Sequence, residues 1–523
     1  MSERRAKGCL LAAVLWCLIL GVLAVGYKFF VHPYVSQKLK TQTGSSSQYK
    51  HEIVVAVDSF SGYAILRSDA VKQDLKGRQI KLTFRDDKGD YAARIKAMQA
   101  GEVQMAVFTI DSLITAGAKL GDFPGSIVLV IDETKGGDAI VALKSAVTNL
   151  QDLNNASARL VLTPNSPSEF LARVVIAHFN LPNLPEKWSV EADGAADVYK
   201  KFRAAGPTEK KAFVLWEPFV SKALQTPGAH LVFDSSRLKG YIVDVLVAER
   251  EFLRDHPDLV RAVVEAHCRA NYTYTQTDNG LNQLIMQDAK QSGAEIVDET
   301  QAKQVVAGIQ WKNTLENYSQ FGLSNGREGL NHLEDIIGNI IDVLMKTKAL
   351  PNDPLGGKHT TLFYSQILAD MKAANFHPGK NLNIIEGVGS VADVEKVRQD
   401  KELTTLTPEQ WNALRPVGQL RIEPIVFRRA SAAINEQSQR DLEELAKRLQ
   451  SYPQYYLRVV GHTRAEGDPE ANRQLAQSRA EAAAQYLVNQ GINAVRIRTE
   501  AAPTRVEGGE AQAVSFVVGQ VPY

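Results

Sequence analysis

A regular alternation of strand-like and helix-like segments begins at residue 51, and it restricts the fold more than any other feature of the chain. Apolar runs that end in turn residues predict strands, and the amphipathic runs between them predict helices. In order, these segments are HEIVVAVDSF, SGYAILRSDAVKQDL, QIKLTFRDD, DYAARIKAMQAGE and VQMAVFTID. Because parallel neighbours need a long crossover connection, this βαβαβ order predicts a parallel sheet covered by helices. The expected class is α/β.

Further strand-like runs indicate a second sheet. SIVLVIDET and AIVALKSAV follow as two strands, and a second alternating block contains ARLVLTPNSPSEFLARVVIAHFN, KKAFVLWEPFVSKAL and AHLVFDSS. Residues 249–374 have a mainly helical pattern. The chain of 523 residues is also too long for one ordinary core. We therefore predict a bilobal α/β body over residues 51–375.

Polar residues stand where the predicted strands end, at positions 58–61, 86–87, 109–112 and 163–166. In open parallel sheets, ligands bind at the carboxyl ends of the strands, so a cleft between two lobes would collect these side chains. Asp58 and Asp111 could bind a cationic ligand or cap helices, and capping is the favoured interpretation. The Ser-Pro-Ser-Glu run at 166–169 could bind an anion, but a capping box with proline at the first helical position is favoured.

Three stretches of the body resemble the solute-binding proteins of ABC transporters of the nitrate, sulfonate and taurine type. They are MQAGEVQMAVFTIDSLI, AFVLWEPFVSKAL and EFLRDHPDLVRAVVEAHCRANYTY, and the resemblance covers roughly residues 50–375. It implies a periplasmic-binding-protein fold whose cleft closes over a small solute without chemistry. Carried over by position, the resemblance implies ligand-binding roles for Ser59, Ser61, Thr109, Asp111 and Trp216. For Trp216, packing in the core of a strand end is an equally good interpretation.

A third block follows a loop-rich linker at 376–416. QLRIEPIVFRRASAAI predicts a strand and turn, NEQSQRDLEELAKRLQSYP an amphipathic helix, and QYYLRVVGHT a strand. A second helix, DPEANRQLAQSRAEAAAQYLVNQG, and two strands, AVRIRTEA and AQAVSFVVGQ, complete a βαβαββ sandwich over residues 417–523. The block resembles the OmpA-like domain that attaches envelope proteins to peptidoglycan. The residues that carry this resemblance are Gly461, His462, Thr463, Asn472, Leu475, Arg479, Ala480, Gly491 and Ile492.

This second resemblance implies a peptidoglycan-binding site at Thr463, Arg464, Asn472 and Arg479. Asn472 and Arg479 are seven residues apart and share a helix face, and the matching arginine of the family binds the carboxylate of the wall diamino acid. Where the family has an aspartate for the ammonium of that amino acid, this chain has Arg464. Glu466 or Asp468 could take the role of the family aspartate. The alternative is that Arg479 is a structural ion-pair partner and wall binding is lost.

The N-terminus predicts a membrane anchor. Residues 8–27 carry no charge, and twenty helical residues span about 30 Å, the thickness of the bilayer hydrocarbon. Arg4, Arg5 and Lys7 precede this run, so the stub should stay in the cytoplasm and the body should be exported. We expect an anchor over 1–30, a flexible linker over 31–50 and a single-pass inner-membrane protein with its body in the periplasm. The alternative is a cleaved signal peptide.

The chain offers no pattern of an enzyme. It has no G-x-S-x-G, no Walker loop and no paired-cysteine motif, and no two histidines are close enough to form a helical metal pair. The chain has 60 Lys and Arg residues against 59 Asp and Glu residues. Its net charge therefore produces no overall positive potential that would attract nucleic acid. We expect no catalytic residue, cofactor or metal. The expected partners are a small-molecule solute, peptidoglycan and the inner membrane, with an ABC permease or an envelope complex as further candidates.

The sequence thus predicts a membrane-anchored periplasmic solute-binding receptor or scaffold, attached to the cell wall through an OmpA-like domain. Two alternatives stay open at this point. One is a structural envelope tether whose receptor fold is degenerate and ligand-free. The other is the binding component of an ABC importer.

Overall fold

A computed structural model describes residues 49–294, 296, 298–324, 332–379, 403–428, 431–463, 467–502 and 514–521. The predicted anchor, most of the predicted first linker, part of the second linker and Arg464 lie outside these ranges. Within them, no helix is both long and apolar enough to cross a membrane.

The strands of the described chain are β1 (His51–Val57), β2 (Ile80–Asp86), β3 (Met105–Thr109), β4 (Gly125–Thr134), β5 (Asp138–Leu143), β6 (Arg159–Leu162), β7 (Ser189–Glu191), β8 (Lys211–Trp216), β9 (Ala229–Asp234), β10 (Val243–Glu249), β11 (Ile309–Trp311), β12 (Arg415–Gln419), β13 (Tyr456–Gly461), β14 (Ile497–Ala501) and β15 (Val514–Gln520). The helices are α1 (Ala64–Arg67), α2 (Asp69–Gly77), α3 (Tyr91–Gln99), α4 (Ile110–Leu120), α5 (Pro167–His178), α6 (Gly194–Arg203), α7 (Phe219–Leu224), α8 (Arg250–Asp255), α9 (Pro257–Gln276), α10 (Gly280–Ser292), α11 (Glu299–Ala307), α12 (Thr314–Gln320), α13 (Leu333–Lys346), α14 (Gln366–Ala373), α15 (Pro408–Ala413), α16 (Glu436–Gln450) and α17 (Pro469–Asn489).

Contacts divide the chain into two compact units. The smaller one contains residues 49–53 and Lys72–Thr83, and the larger one contains Val54–Val71 and Phe84–Tyr523. In the smaller unit, the backbone N–H of Lys50 donates to the carbonyl of Gln79 at 2.7 Å. The ammonium of Lys81 lies 3.0 Å from the carboxylate of Glu52, an exposed pair that adds little to stability.

The first lobe is a mixed sheet with the strand order β11-β4-β10-β3-β1-β2. Strands β1 and β3 pair in parallel, as the sequence predicts, but β10 is antiparallel to both β3 and β4. The chain leaves this lobe at the end of β4 and returns through β10, so these two strands run in opposite directions. Both faces of the central strands are covered by other elements, which explains their nearly continuous apolar sequences.

The second lobe has the strand order β7-β6-β8-β5-β9. Strand β6 is parallel to β7 and β8, whereas β5 is antiparallel to β8 and β9. Two segments, 135–137 and 235–242, connect the lobes, and we call them the hinge segments. The predicted bilobal α/β architecture is therefore confirmed.

The C-terminal region forms a third sheet with the order β12-β15-β13-β14, covered by α17, against which α16 packs. Its first strand is Arg415–Gln419, so the prediction of a strand within 419–434 was wrong. After Gln419 the chain turns towards the second lobe, where the N–H of Arg421 donates to the carbonyl of His178 at 2.8 Å. Trp411 and Leu414, in the predicted linker, pack against Tyr456, so this core begins before residue 417.

An aromatic interface joins the C-terminal region to the second lobe and to one hinge segment. Tyr452 hydrogen-bonds to His178, whose other ring nitrogen lies 3.5 Å from the hydroxyl of Tyr241 in the second hinge segment. The backbone N–H of Lys239, in the same segment, donates to the carbonyl of Ser451 at 2.9 Å. All three rings are almost completely buried, and burial lowers the pKa of His178 well below its usual value. A neutral imidazole can donate to one hydroxyl and accept from the other.

Candidate functional site

The predicted ligand residues of the first lobe lie at the ends of β1 and β3. Ser59 is exposed, and Ser61 is buried in a short 3-10 turn, Ser61–Tyr63. Thr109 ends β3 and is the N-cap position of α4, where its hydroxyl bonds that of Ser112 at 2.9 Å. Of these three residues, Ser61 and Thr109 are buried.

Asp58 has an ion-pair role. One of its carboxylate oxygens lies 3.0 Å from the guanidinium of Arg94, and the other accepts the N–H of Phe60 at 2.9 Å. Arg94 is buried, contacts Asp87 with two of its nitrogens and donates to the carbonyl of Val107. The interpretation of Asp58 as a helix cap was wrong, because Phe60 occupies the N-cap position of the following 3-10 turn and no side chain caps it.

Asp111 is also not a helix cap. It lies within the first turn of α4, one residue beyond the first helical position, and its carboxyl is almost completely buried. One of its oxygens has no hydrogen-bond partner among the residues that the structure describes. Burial raises the pKa of Asp111 to about 7, against the lowering effects of the Thr109 hydroxyl and nearby backbone N–H groups. Glu169, from the second lobe, raises this pKa further. An incompletely satisfied carboxyl so close to the opposite lobe is a candidate ligand-binding group.

Two buried carboxyls that the sequence analysis missed lie side by side in the first lobe. Asp244 on β10 is directly opposite both Asp132 on β4 and Thr109 on β3. Tyr63 donates its hydroxyl to Asp244, and the carboxyl of Asp244 is hydrogen-bonded to that of Asp132. Burial raises the pKa of Asp132 to about 7 and the pKa of Asp244 well above its usual value, and the charge of Asp132 raises the latter further. Two facing carboxyls with raised pKa values can share one proton.

Asp138 brings a fourth buried carboxyl from the second lobe. It is the first residue of β5 and pairs in register with Trp216 at the end of β8. Burial raises the pKa of Asp138 to about 7, and the charges of Asp111 and Glu217 raise it further. Trp216 is half-buried and packs against the apolar core of its own lobe, in agreement with the core-packing interpretation. We call Asp111, Asp132, Asp138 and Asp244 the carboxyl cluster.

The cations near the carboxyl cluster are paired with other acids. Lys312 and Lys135 both bind Glu133, at 2.7 and 3.0 Å. Arg173 binds Glu169, an i,i+4 pair within α5. Among the described residues, none of the four cluster carboxyls has a salt bridge to Lys, Arg or His. The sequence signal for these groups was an Asp that interrupts an apolar strand, as in SIVLVIDET and YIVDVLVAER.

The predicted wall-binding residues lie around β13 and α17. Gly461 ends β13, and a Cβ atom there would be 1.9 Å from the carbonyl oxygen of Ala476, so only glycine allows this helix to approach. His462 follows, and its Nε2 lies 2.8 Å from the hydroxyl of Ser515. Thr463 and Asn472 are half-buried. The close contact at Gly461 sets the position of the N-terminal half of α17 relative to this loop.

Arg479 lies one turn further along α17 from Ala476. Its Nε donates to the carbonyl of Ser431 at 3.3 Å, and its guanidinium carbon is 5.3 Å from the centre of the Phe427 ring. Among the residues that the structure describes, Arg479 makes no salt bridge. Partial burial lowers the pKa of Arg479 below its usual value. The guanidinium is nevertheless charged at neutral pH, because arginine starts from a very high pKa.

Comparisons with known proteins identify the C-terminal region. Residues 426–508 match the OmpA family. Over 76 residues, this region is 34% identical to the probable lipoprotein YiaD of Escherichia coli, a match that covers 14% of this chain and 35% of that protein. Over 75 residues it is 37% identical to the peptidoglycan-associated lipoprotein of Brucella melitensis, covering 14% and 45%. The chain thus spans less than half the length of these curated relatives. The predicted OmpA-like resemblance is confirmed.

The two lobes are similar to a solved solute-binding protein. The periplasmic aliphatic sulphonate binding protein SsuA from Escherichia coli aligns over 61% of this chain and 99% of its own, with 14% identity and a TM-score of 0.45.

Proposed function

We propose that this protein is a solute-binding receptor of the cell envelope, held to peptidoglycan by its OmpA-like region. The observation that carries the proposal is the arrangement of two α/β lobes on two hinge segments, with incompletely satisfied polar groups near those segments and an OmpA-family region on the same chain. The lobes would close over a small molecule by hinge motion, with no bond broken. Ser59, Ser61, Thr109, Asp111 and Trp216 are the proposed ligand contacts.

Wall attachment is the second part of the proposal. The planar guanidinium of Arg479 forms no ion pair with a carboxylate in the described residues. Its geometry suits a bidentate contact with a wall carboxylate. Asn472 and Thr463 lie on the same helix and on the neighbouring loop. Arg464 would weaken the contact, because it stands at the motif position where the family has an aspartate for the ammonium of the diamino acid. The peptidoglycan-associated lipoproteins among the relatives support this assignment.

The membrane anchor over residues 8–27 completes the proposal. A chain attached to both the membrane and the wall cannot diffuse as a shuttle, so a fixed sensor or scaffold is favoured over the binding component of an importer. The contact between Ser451 and the hinge residue Lys239 also supports a receptor whose hinge and wall-binding region are physically connected.

Native mass spectrometry of the full-length protein, extracted in detergent, tests the solute-binding part. The expected result is a retained small molecule that is released by unfolding. Small-angle scattering of the same sample should show compaction when this molecule is restored. Absence of any retained molecule, together with one constant scattering profile across a broad metabolite panel, would replace the receptor by a structural tether.

Sedimentation of the full-length protein with purified peptidoglycan tests the wall-binding part independently. The protein should enter the pellet with the wall and stay in solution without it. Because this assay does not depend on a solute, its failure would remove only the proposed attachment.

A further inference from the structure

The second hinge segment, residues 235–242, is covered on two sides. Connections between secondary-structure elements generally run over the surface, where water satisfies their backbone groups. Here Leu238 and Tyr241 are each 2% exposed, and Lys239 is 8% exposed. Other parts of the chain must therefore supply the hydrogen-bond partners of this segment.

On one side, the segment is bonded to the end of β4 and to the first hinge segment. The backbone N–H of Gly240 donates to the carboxylate of Glu133 at 2.7 Å, and the ammonium of Lys135 donates to the carbonyl of Leu238. Because these bonds join the two hinge segments, we expect both segments to change conformation together.

On the other side, three alternate residues of the same segment contact the OmpA-like region. The backbone N–H of Lys239 donates to the carbonyl of Ser451 at 2.9 Å, and the hydroxyl of Tyr241 hydrogen-bonds to the side chain of Ser451. The guanidinium carbon of Arg237 lies 5.9 Å from the centre of the Tyr455 ring. The second hinge segment is therefore held between the first hinge segment and the OmpA-like region.

The C-terminal sheet of this region is also fixed to the second lobe. The N–H of Asn180 donates to the carbonyl of Gln419 at 2.9 Å, and the guanidinium of Arg415 donates to Nδ1 of His230 at 3.1 Å. Both Arg415 and Gln419 belong to β12. Together with the aromatic interface, these contacts set the position of the OmpA-like region, so it can hold the hinge segment in one conformation.

The two lobes touch each other in this conformation. Helix α4 of the first lobe packs against α5 of the second, and α13 packs against both. The ammonium of Lys119, in α4, donates to the side-chain oxygen of Asn165, shortly before α5, at 3.0 Å. The hinge conformation that the OmpA-like region contacts is thus the one that accompanies closed lobes.

We propose that the OmpA-like region is a clamp on the hinge, which favours closed lobes through its contacts with Arg237, Lys239 and Tyr241. Opening requires the hinge backbone to change, and each contact that opening breaks shifts the equilibrium towards the closed lobes. The inference goes beyond the proposed receptor function, because this equilibrium exists without a solute or a wall. Displacement of the OmpA-like region from the hinge would favour open lobes and thereby regulate the receptor.

Hydrogen–deuterium exchange of the solute-free, full-length protein in detergent tests the clamp. The readout is the first hinge segment, in peptides that contain Gly136, whose N–H donates to the hydroxyl of Ser235 at 2.8 Å. Ser451→Ala removes one hydroxyl from the clamp and leaves the hinge sequence unchanged. It should speed exchange at Gly136 about three- to tenfold, the effect of one buried hydrogen bond on an opening equilibrium.

Tyr241→Phe removes the same contact from the hinge side. If the two side chains act through each other, the double variant should exchange about as fast as the faster single variant, whereas independent effects would multiply. The matched control is Ser438→Ala. Ser438 and Ser451 are both 1% exposed, but the hydroxyl of Ser438 accepts the N–H of Val426 within the OmpA-like region. Its loss should leave exchange at Gly136 unchanged.

Three results would overturn the clamp. They are unchanged exchange at Gly136 in both single variants, multiplied effects in the double variant, and an equal acceleration by Ser438→Ala, which would indicate general loosening of the OmpA-like region. Because Ser451→Ala and Tyr241→Phe test the same contact separately, failure of one to fold leaves the other to decide. No solute or peptidoglycan is present in this assay, so a negative result leaves the proposed receptor function and wall attachment unaffected.

Discussion

Replacement of Asp111 by asparagine should stabilise the ligand-free protein at pH 8 and leave its stability almost unchanged near pH 4. The wild-type carboxyl is buried in the first turn of α4, and its pKa is about 7 in the folded protein against an ordinary value of 3.8. The groups that face it are Thr109, Ser112, Glu169 and Asp138. Asparagine has nearly the same shape and no charge, so it removes the cost of burying a carboxylate.

The magnitude follows from proton linkage. A difference of about three pKa units between the folded and unfolded chains corresponds to about 4 kcal/mol in the free energy of unfolding. The contribution of the protonated carboxyl is fully present below pH 4 and is lost as the pH rises to 7. This value already includes the favourable effect of the helix N-terminus on the carboxylate, because the N–H groups there lower the same pKa. The expected stabilisation at pH 8 is therefore about 4 kcal/mol.

The assay is thermal unfolding of wild type and variant, followed by calorimetry across pH 4–8 after removal of solute. The difference between their melting temperatures should be near zero at pH 4, grow between pH 4 and 7 and stay constant above. Asp255→Asn, at an exposed position, serves as the control and should show no such growth. A difference that is independent of pH, or a variant that is less stable at pH 8, would refute the assignment of a buried, protonatable carboxyl to this position.

Four further predictions concern the C-terminal region and the anchor. Arg479→Ala should reduce sedimentation of the full-length protein with peptidoglycan, whereas Arg464→Asp should increase it; no effect of either change would contradict the proposed wall site. Tyr452→Ala should lower the free energy of unfolding by about 3–5 kcal/mol, measured by thermal unfolding, because it removes a buried ring from the domain interface. Gly461→Ala should destabilise the C-terminal sheet by at least about 3 kcal/mol, seen as rapid limited proteolysis, because the new methyl group meets the backbone of α17. Intact-mass analysis of membrane-extracted protein should show that residues 8–27 are retained.

The alternation of strands and helices was sufficient to predict both lobes, because local periodicity reports which face of each element is buried. It could not predict that β10 lies between β3 and β4. That placement depends on where the chain re-enters the first lobe after the second. The local sequence pattern carries no information about this. The first C-terminal strand was assigned to residues beyond Gln419 for a similar reason. The path of the chain after Gln419 depends on its contact with His178, which the local sequence does not reveal.

The candidate site was predicted only in part. Asp111 was found because it lies two residues after the end of β3, and sequence reasoning gave it the wrong local role. Asp132 and Asp244 were missed because each lies inside an apolar strand, where a single acidic residue has no distinctive spacing. Their proximity arises from the antiparallel register of β4 and β10, which is a tertiary property. Gly461 was named only as a residue that carries the OmpA-like resemblance, and its role in the close approach of α17 comes from the structure.

The contact of Ser451 with Lys239 has a mechanical consequence. If α17 holds the wall while the N-terminus holds the membrane, tension between these two layers is transmitted through the aromatic interface to a hinge segment. Solute affinity would then depend on force as well as concentration, because a pull that favours one hinge angle favours either the open or the closed lobes. A receptor connected in this way could report the separation of wall and membrane.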